Sequence, residues 1–246
     1  MGINLHQDLI NKNHEYWNRK PLLQMVYRDF YQLIADHLSK LPDKKIVELG
    51  SGLGNIHDVI PGCIRTDLFP YPWIDQIENA YKLSFDDETV SDLILTDVFH
   101  HLKYPGTALN ELYRALRKGG RVIMLEPCIS ALGLFIYGAL HVGSIAVTKK
   151  IEWFSPEGWS PENIDYYAAQ GNASRIFLGK RYSPNLKVWK KVETIRLPAI
   201  AYAASGGYSS PQLYPTKFLP FMKNIEKWLD IFPALFATRL LVILEK

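Results

Sequence analysis

The sequence predicts an α/β protein built on a parallel sheet with helices on both faces. Between residues 44 and 127, short apolar runs of strand length alternate with segments whose apolar residues recur at helical spacing. The first of these runs passes directly into a glycine-rich turn, Gly50-Ser51-Gly52-Leu53-Gly54. Strands that alternate with helices are typical of a parallel sheet, because parallel strands need crossover connections.

The elements are expected in an order that interleaves the two types. A helical region at 15–41, divided at Pro21 and ended by Pro42, precedes the first strand. The predicted strands are 45–49, 63–66, 91–96, 121–125, 186–195 and 240–244, and the further predicted helices are 55–60, 107–117 and 224–229. No internal repeat is visible.

Composition limits the class of protein and its surroundings. The chain has 246 residues, 48% of them apolar, which suits one large domain or one domain with a lid. Cys63 and Cys128 give neither a disulfide framework nor a metal-ligand spacing, so a reducing compartment is expected. The first nine residues lack an apolar segment, so no signal peptide is predicted and the expected location is cytoplasmic.

Charge is unevenly distributed along the chain. Residues 1–127 carry 14 basic and 17 acidic residues, whereas residues 128–246 carry 14 basic and 8 acidic ones. A basic second half suits an anionic substrate, an anionic membrane surface or an ordinary solvated face. The basic residues are not interleaved with aromatic ones as a nucleic-acid site requires, so no nucleic-acid partner is predicted.

The glycine turn indicates the kind of ligand. A dinucleotide-binding turn has a third glycine three residues after the second, but that position is Asn55. Glu48, two residues before Gly50, would repel a pyrophosphate and would suit a cationic amino group. The turn therefore indicates a nucleoside with a positively charged end, such as S-adenosylmethionine.

Further motifs follow in a fixed order. They are Asp67 at the end of the second strand, Asn79-Ala80-Tyr81-Lys82-Leu83-Ser84-Phe85, Thr96-Asp97-Val98-Phe99-His100-His101-Leu102, and Leu116-Arg117-Lys118-Gly119-Gly120-Arg121. With the glycine turn, they resemble the class I S-adenosylmethionine-dependent methyltransferases, specifically the methyltransferase type 11 family. The resemblance covers roughly residues 44–127.

The resemblance implies a fold and a cofactor site. The fold is a Rossmann-like, seven-stranded, mostly parallel sheet sandwiched by helices, with an antiparallel last strand and an apolar lid or insert between strands five and six. The cofactor is S-adenosylmethionine. Its implied binding residues are Glu48, Gly50, Ser51, Gly52, Gly54, Asn55, Asp67, Leu68, Asn79, Ala80, Asp97 and Val98.

Each group of these residues has an implied role. Gly50 and Gly52 let the loop pass beneath the methionine part, and Asp67 accepts hydrogen bonds from the ribose hydroxyls. Asn79 contacts the adenine amino group and Ala80 the ring, while Asp97 and Val98 lie near the methionine end. No metal is expected, because adjacent histidines at 100 and 101 diverge and no third ligand is indicated.

The second half is expected to bind the acceptor. The predicted parts of the chain are a helical cap at 1–43, the cofactor half at 44–127, an acceptor insert or lid at 128–186 and the completing strands at 187–246. Residues 128–148 contain no charged side chain. The pattern disfavours one membrane span there, since strands on both sides of the segment join one sheet. The alternatives are a buried lid helix, an apolar acceptor pocket, or monotopic insertion at the inner membrane surface.

The predicted activity is methyl transfer, with O-methylation of a small-molecule, saccharide or lipid-linked acceptor favoured. Carbon methylation of a quinone-like or other hydrophobic acceptor, and non-catalytic cofactor binding, are the alternatives. A hydroxyl acceptor needs a base, for which His141 is the first candidate and His101 and Glu126 are the next. Residues 96–99 lack the N/D-P-P-Y/F segment of nucleic-acid amino-methyltransferases, which disfavours base N-methylation.

Overall fold

A seven-stranded sheet forms the centre of the protein. A computed structural model describes residues 3–140, 145–162 and 166–246. The strand order is β3-β2-β1-β4-β5-β7-β6, and β7 alone runs antiparallel to its neighbours. The strands are β1 Ile46–Leu49, β2 Cys63–Asp67, β3 Gln76–Ile77, β4 Val90–Thr96, β5 Leu116–Pro127, β6 Lys191–Leu197 and β7 Arg239–Glu245. The predicted fold class, including the antiparallel last strand, is confirmed.

Helices cover both faces of the sheet. They are α1 Ile3–Arg19, α2 Pro21–Asp36, α3 Pro105–Ala115, α4 Ala131–Phe135, α5 Asn172–Phe177, α6 Ile200–Ala204, α7 Leu219–Leu229 and α8 Pro233–Phe236. Pro21 opens α2, as the division of the N-terminal helical region predicts, because proline suits the first helical turn, where its missing N–H is not needed. α2 and α6 pack on one core cluster and α3 and α5 on the other.

The central strands are apolar on both faces, which is why the sheet is covered twice. In β4, Leu93 and Leu95 join the core beneath α3, whereas Ile94 joins the core beneath α2. All three side chains are fully buried. Such continuous apolar strands are typical of parallel sheets with helices on both sides.

Some predicted elements differ in the structure. The helix expected at 55–60 is instead a 3-10 turn, Asn55–Asp58. It cannot extend further, because Pro61 and Gly62 follow soon after it. The strand expected at 186–195 begins only at Lys191, because Ser183–Leu186 forms a 3-10 turn that buries Leu186 and, after it, Trp189. β5 begins five residues earlier than predicted, and the two-residue β3 has no recognisable apolar run.

The segment between β5 and β6 is the insert. It begins with α4 and a π-helical turn, Ile136–Leu140, and α4 packs against α8. A side chain at Gly133 would place its Cβ 1.9 Å from the Cys128 carbonyl oxygen, so the start of the insert requires glycine there. Among residues 3–140, 145–162 and 166–246, no helix is long and apolar enough to cross a membrane.

Candidate functional site

The glycine turn connects β1 to the 3-10 turn at Asn55 and leaves one open position. Gly50, Gly52 and Gly54 all have left-handed backbone, with φ of +68°, +53° and +70°. A Cβ at Gly50 would lie 2.6 Å from Cγ2 of Val98, so this glycine lets the turn touch the loop after β4. A Cβ at Gly52 would meet no atom within 4 Å. The open space is therefore above Gly52, where a ligand can approach the backbone.

Glu48 lies beneath this turn with an unsatisfied carboxylate. Its side chain is buried, and Oε2 has no hydrogen-bond partner among the described residues. Burial raises the pKa of Glu48 to about 8. A buried carboxylate oxygen that lacks a donor fits a cationic ligand group, because an ammonium would supply both the hydrogen bond and the charge.

Asp67 and Leu68 lie at the end of the neighbouring strand, β2. The Gly52 N–H donates to Asp67 Oδ2 at 3.0 Å, and the Phe69 N–H donates to Oδ1 at 3.3 Å. A carboxylate at this position accepts hydrogen bonds from N–H and O–H donors alike, which is the chemistry that ribose hydroxyls require. Leu68 is 44% exposed and offers an apolar surface beside the acid.

Ser51 holds the turn against β2. Its N–H donates to the Thr66 carbonyl at 2.8 Å, and its Oγ accepts from the Thr66 N–H at 3.2 Å. Ser51 therefore positions the glycine turn. Trp73 does the same from outside, donating its indole N–H to the Gly52 carbonyl at 2.7 Å.

Asn79 joins the cofactor half to the insert. Its Oδ1 accepts from the Tyr81 N–H, and its Nδ2 donates to the Pro161 carbonyl at 2.9 Å. Ala80, next to it, packs partly buried against the core. The implied adenine contact of Asn79 thus lies at the point where the insert meets the sheet, and the amide group already has partners there.

Asn55 points to a cluster of aromatic side chains. Its Nδ2 donates to the Tyr208 hydroxyl at 3.3 Å. The Tyr208 ring lies 5.5 Å from Tyr27 and 6.3 Å from Trp17, and Tyr27 lies 5.8 Å from Tyr202. Burial raises the pKa of Tyr27, Tyr202 and Tyr208, so all three are neutral hydroxyls. The aromatic cluster of Trp17, Tyr27, Tyr202 and Tyr208 therefore lies beside the glycine turn.

An ion pair lies between this cluster and the end of β4. Arg239 Nη1 and Nη2 donate to the two oxygens of Asp97, each at 2.6 Å. The guanidinium lies 5.6 Å from the Phe30 ring and 4.9 Å from the Tyr202 ring, and its Nε has no partner among the described residues. Asp97 has φ +59°, a conformation uncommon outside glycine. Strained backbone of this kind clusters at functional sites.

The structure corrects the prediction that Glu126 is a base. Its Oε1 accepts from the N–H groups of Val98 and Phe99, and its Oε2 accepts from the His100 N–H and from His100 Nδ1 at 2.6 Å. The carboxylate is fully buried. With four donors on two oxygens and no exposed surface, Glu126 positions the loop after β4 and has no access to an acceptor.

The same loop contains the cluster of possible metal ligands that the described residues form. Asp97, His100 and Glu126 each offer an atom within 4.8 Å of the others. These atoms already bind Arg239, the backbone N–H groups of the loop and one another. Protein contacts therefore account for the cluster without a metal ion.

His101 lies where the cofactor half meets the insert. Its Nδ1 lies 2.8 Å from the Tyr167 carbonyl, an acceptor, so Nδ1 carries the proton and Nε2 has the lone pair. Desolvation is the main cause that lowers the pKa of His101 to about 4, and the neighbouring His100 lowers it further. The ring is therefore neutral at pH 7, although the residue is exposed at the surface. His141, the first candidate base, lies outside the described residues and stays a prediction.

The most important residues missed from the sequence are Arg239 and the aromatic cluster. Arg239 begins the terminal strand directly before five consecutive apolar residues, Leu240 to Leu244, and a charge next to so apolar a run indicates a buried partner. Tyr202 and Tyr208 are six residues apart, but Trp17 and Tyr27 lie about 180 residues before them, so no local spacing connects the two parts of the cluster.

Comparison with known proteins agrees with this geometry. Residues 47–124 match the family described as "Methyltransferase domain". An alanine–tRNA ligase of Fervidobacterium nodosum is 34% identical over 92 residues, 36% of this chain and 10% of the ligase. A demethylmenaquinone methyltransferase of Streptomyces avermitilis is 28% identical over 107 residues, 38% of this chain and 46% of that enzyme. The chain thus spans less than half the length of either relative.

A solved structure extends the similarity to the whole chain. A SAM-dependent methyltransferase from Thermotoga maritima superposes with a TM-score of 0.53 at 15% identity, covering 97% of this chain and 99% of that one. The fold of the whole chain is therefore the fold of the class I S-adenosylmethionine-dependent methyltransferases. Within it, residues 47–124 match the methyltransferase domain, a family whose cofactor is S-adenosylmethionine.

Proposed function

We propose that the protein methylates a hydroxyl group of a small-molecule, saccharide or lipid-linked acceptor. The observation that carries this proposal is the polar lining beside the glycine turn. The hydroxyls of Tyr27, Tyr202 and Tyr208 and the Asp97–Arg239 ion pair lie together there. A lining of hydroxyl and charged groups favours an acceptor that carries hydroxyl groups, because such an acceptor can exchange hydrogen bonds with it.

The chain's own residues provide cofactor binding and orientation. Glu48 receives a cationic amino group, Asp67 receives ribose hydroxyls, and the open backbone at Gly52 allows close approach. The cofactor supplies a methyl group activated by its sulfonium, so the protein's main task is to align the acceptor oxygen with it. The Asp97–Arg239 pair fixes the loop after β4 that borders this space.

His101 is the proposed group that orients the acceptor hydroxyl. Its Nε2 lone pair can accept the hydroxyl proton, since Nδ1 donates to the Tyr167 carbonyl. A pKa of about 4 makes His101 a weak base, so alignment contributes more to the rate than proton removal does. His141 remains the alternative base.

The first test measures cofactor binding. Isothermal titration with S-adenosylhomocysteine should show binding by the wild type and a loss of about 100-fold in Asp67→Ala, since two hydrogen bonds to a carboxylate are removed. Asp58→Ala is the matched control, because Asp58 is an exposed carboxylate outside the site. Equal and very weak binding by the wild type and both variants would contradict the proposal.

The second test follows the methyl group. Methyl-labelled S-adenosylmethionine is incubated with hydroxylated small molecules, free saccharides and lipid-linked saccharides, and the product is analysed for the labelled atom. Label on oxygen supports the proposal. Cofactor binding with no transfer to any acceptor would favour a non-catalytic cofactor-binding protein.

Carbon methylation of a quinone-like acceptor is the second candidate. It is favoured by the similarity to the demethylmenaquinone methyltransferase. That similarity covers 38% of this chain. The same labelling experiment separates the two candidates when demethylated quinone analogues are included, because label on ring carbon would identify the second and exclude the first.

A further inference from the structure

The outer surface of the C-terminal helices carries large apolar side chains that no part of the described protein covers. On α7, Phe221 is 61% and Trp228 is 74% exposed. Phe232, in the turn after α7, is 59% exposed, and Leu235 on α8 is 49% exposed. Exposed single apolar residues are ordinary, but several large ones together mark an interaction site.

The two residues on α7 lie on one side of that helix. Phe221 and Trp228 are seven residues apart, which brings both side chains to one face of α7, and Phe232 and Leu235 follow within seven residues of Trp228. The opposite side of α7 faces the protein, where Leu219 is buried and Met222 packs on the core. α7 therefore carries apolar side chains on both sides, one packed on the core and the other exposed.

The insert extends this surface. α4 packs against α8, and its Leu134 and Phe135 are 45% and 60% exposed. We call the six residues Leu134, Phe135, Phe221, Trp228, Phe232 and Leu235 the apolar surface. Two segments far apart in sequence therefore contribute to it, and one of them is the uncharged segment that follows β5.

Basic side chains accompany the apolar surface. Lys217 and Lys227 are exposed at either end of α7, and neither has an ion-pair partner among the described residues. Of the two acidic residues of this region, Glu226 accepts a hydrogen bond from the Ala201 N–H inside the protein, and only Asp230 is exposed. Apolar aromatic residues flanked by lysine are the combination that lies at the interface of an anionic bilayer.

We propose that the apolar surface docks on an anionic lipid bilayer and inserts its aromatic side chains into one leaflet. A second copy of the chain fits less well. α7 has 11 residues, with Pro220 in its first turn and Pro233 beginning α8, which is too short and interrupted for a coiled-coil pairing. The lysines would also face each other across a symmetric contact.

Docking there would bring the bilayer to the acceptor side of the protein. α8 ends at Phe236, three residues before Arg239, and Tyr137, which follows α4, donates to the Thr238 carbonyl at 2.8 Å. The apolar surface is thus close along the chain to Arg239, the partner of Asp97. Bilayer docking is independent of methyl transfer, and it would favour the lipid-linked class among the proposed acceptors.

The test is co-sedimentation with vesicles of phosphatidylcholine alone and of equal parts phosphatidylcholine and phosphatidylglycerol. The wild type should sediment with the anionic vesicles, and Phe221→Gln/Trp228→Gln should lose about tenfold or more in partitioning, because two large apolar side chains no longer insert. Val188→Gln/Val192→Gln is the control, since it removes two exposed apolar residues elsewhere. Lys217→Gln/Lys227→Gln should weaken binding to the anionic vesicles alone.

Affinity for S-adenosylhomocysteine is measured on the same samples. It shows that each variant is folded, and it tests the proposed methyl transfer site independently of bilayer docking. A wild type that binds the cofactor product but sediments with neither vesicle overturns bilayer docking and leaves the proposed function standing. Equal sedimentation of the wild type and Phe221→Gln/Trp228→Gln also overturns it. So does a wild-type dimer in analytical ultracentrifugation that this variant abolishes without vesicle binding, which would identify a second copy as the occupant.

Discussion

Two carboxylates at the carboxyl edge of the sheet have opposite surroundings: Glu48 on β1 is buried, and Asp97 after β4 is partly exposed but paired with a buried arginine. Glu48 has an oxygen without a partner, and burial raises its pKa to about 8. Asp97 is held by both terminal nitrogens of Arg239, which outweighs desolvation and keeps its pKa below the usual range. The first carboxylate is prepared for a cation from outside, and the second has its cation within the fold.

This difference separates a binding residue from an architectural one. A carboxylate that lacks a partner gains most when a cationic ligand arrives, whereas one that is already paired gains little. The cofactor half therefore contains the group that awaits a ligand. The acceptor side contains a preformed pair that includes Asp97, the residue whose own backbone is left-handed.

Breaking the preformed pair should have the largest effect. Arg239→Ala leaves Asp97 charged against a buried void, and the free energy of unfolding should fall by about 3–5 kcal/mol. Chemical denaturation at pH 7 measures the loss. Asp97→Asn/Arg239→Met, which removes both charges and keeps the volume, should recover most of it. A loss below about 1 kcal/mol in Arg239→Ala would show that the pair behaves as a surface salt bridge.

Removing the unpaired carboxylate should change the free energy of unfolding in the opposite direction. The folded state holds a proton on Glu48 up to about pH 8, whereas the unfolded chain releases it near 4.5. Stability is therefore lost as pH rises between these values, and the loss is about 3 kcal/mol at pH 7. Glu48→Gln should flatten this dependence, so that the variant, without cofactor, becomes the more stable protein at pH 8.

Denaturation of both proteins at pH 5 and pH 8 checks the sign. Glu78→Gln serves as the control, because Glu78 is also a buried carboxyl but accepts hydrogen bonds from Gln76 and Ser84. Parallel curves for the wild type and Glu48→Gln would contradict the account of an unpartnered carboxylate.

These two residues also show what the sequence could reveal. Glu48 belongs to a motif of nine consecutive residues, 47–55, so its place beneath the glycine turn follows from local spacing. Asp97 could be placed at the end of β4, but its partner Arg239 is 142 residues away. The family resemblance implied that the last strand is antiparallel, but no local spacing indicates that β7 lies beside β5. The aromatic cluster likewise depends on how α2 and α6 pack, which no local pattern encodes.

Replacing either of two glycines of the same turn should have different effects, one mainly on stability and the other mainly on cofactor binding. Gly50→Ala combines a left-handed φ with a contact 2.6 Å from Val98 Cγ2, and should cost about 2–3 kcal/mol of stability. Gly52→Ala meets no atom within 4 Å and should cost only about 1 kcal/mol through its φ. Its Cβ instead enters the open space, so affinity for S-adenosylhomocysteine should fall more than stability does.

Denaturation and titration of both variants distinguish these effects. Val98→Ala should partly rescue the stability of Gly50→Ala, because it removes the crowding methyl groups, and should leave Gly52→Ala unchanged. Equal stability losses at the two positions would mean that backbone conformation alone sets the cost.

The smallest effect concerns the link between the two sides of the site. Asn55 Nδ2 donates to the Tyr208 hydroxyl at 3.3 Å, which is long for a strong hydrogen bond. A double-mutant cycle of Asn55→Ala and Tyr208→Phe should therefore give a coupling energy for folding of about 0.5–1 kcal/mol. If the link also transmits cofactor binding to the acceptor side, the coupling should rise when the cycle is repeated with saturating S-adenosylhomocysteine. An unchanged value would mean that Glu48 and the Asp97–Arg239 pair operate as independent halves of the site, joined by the sheet alone.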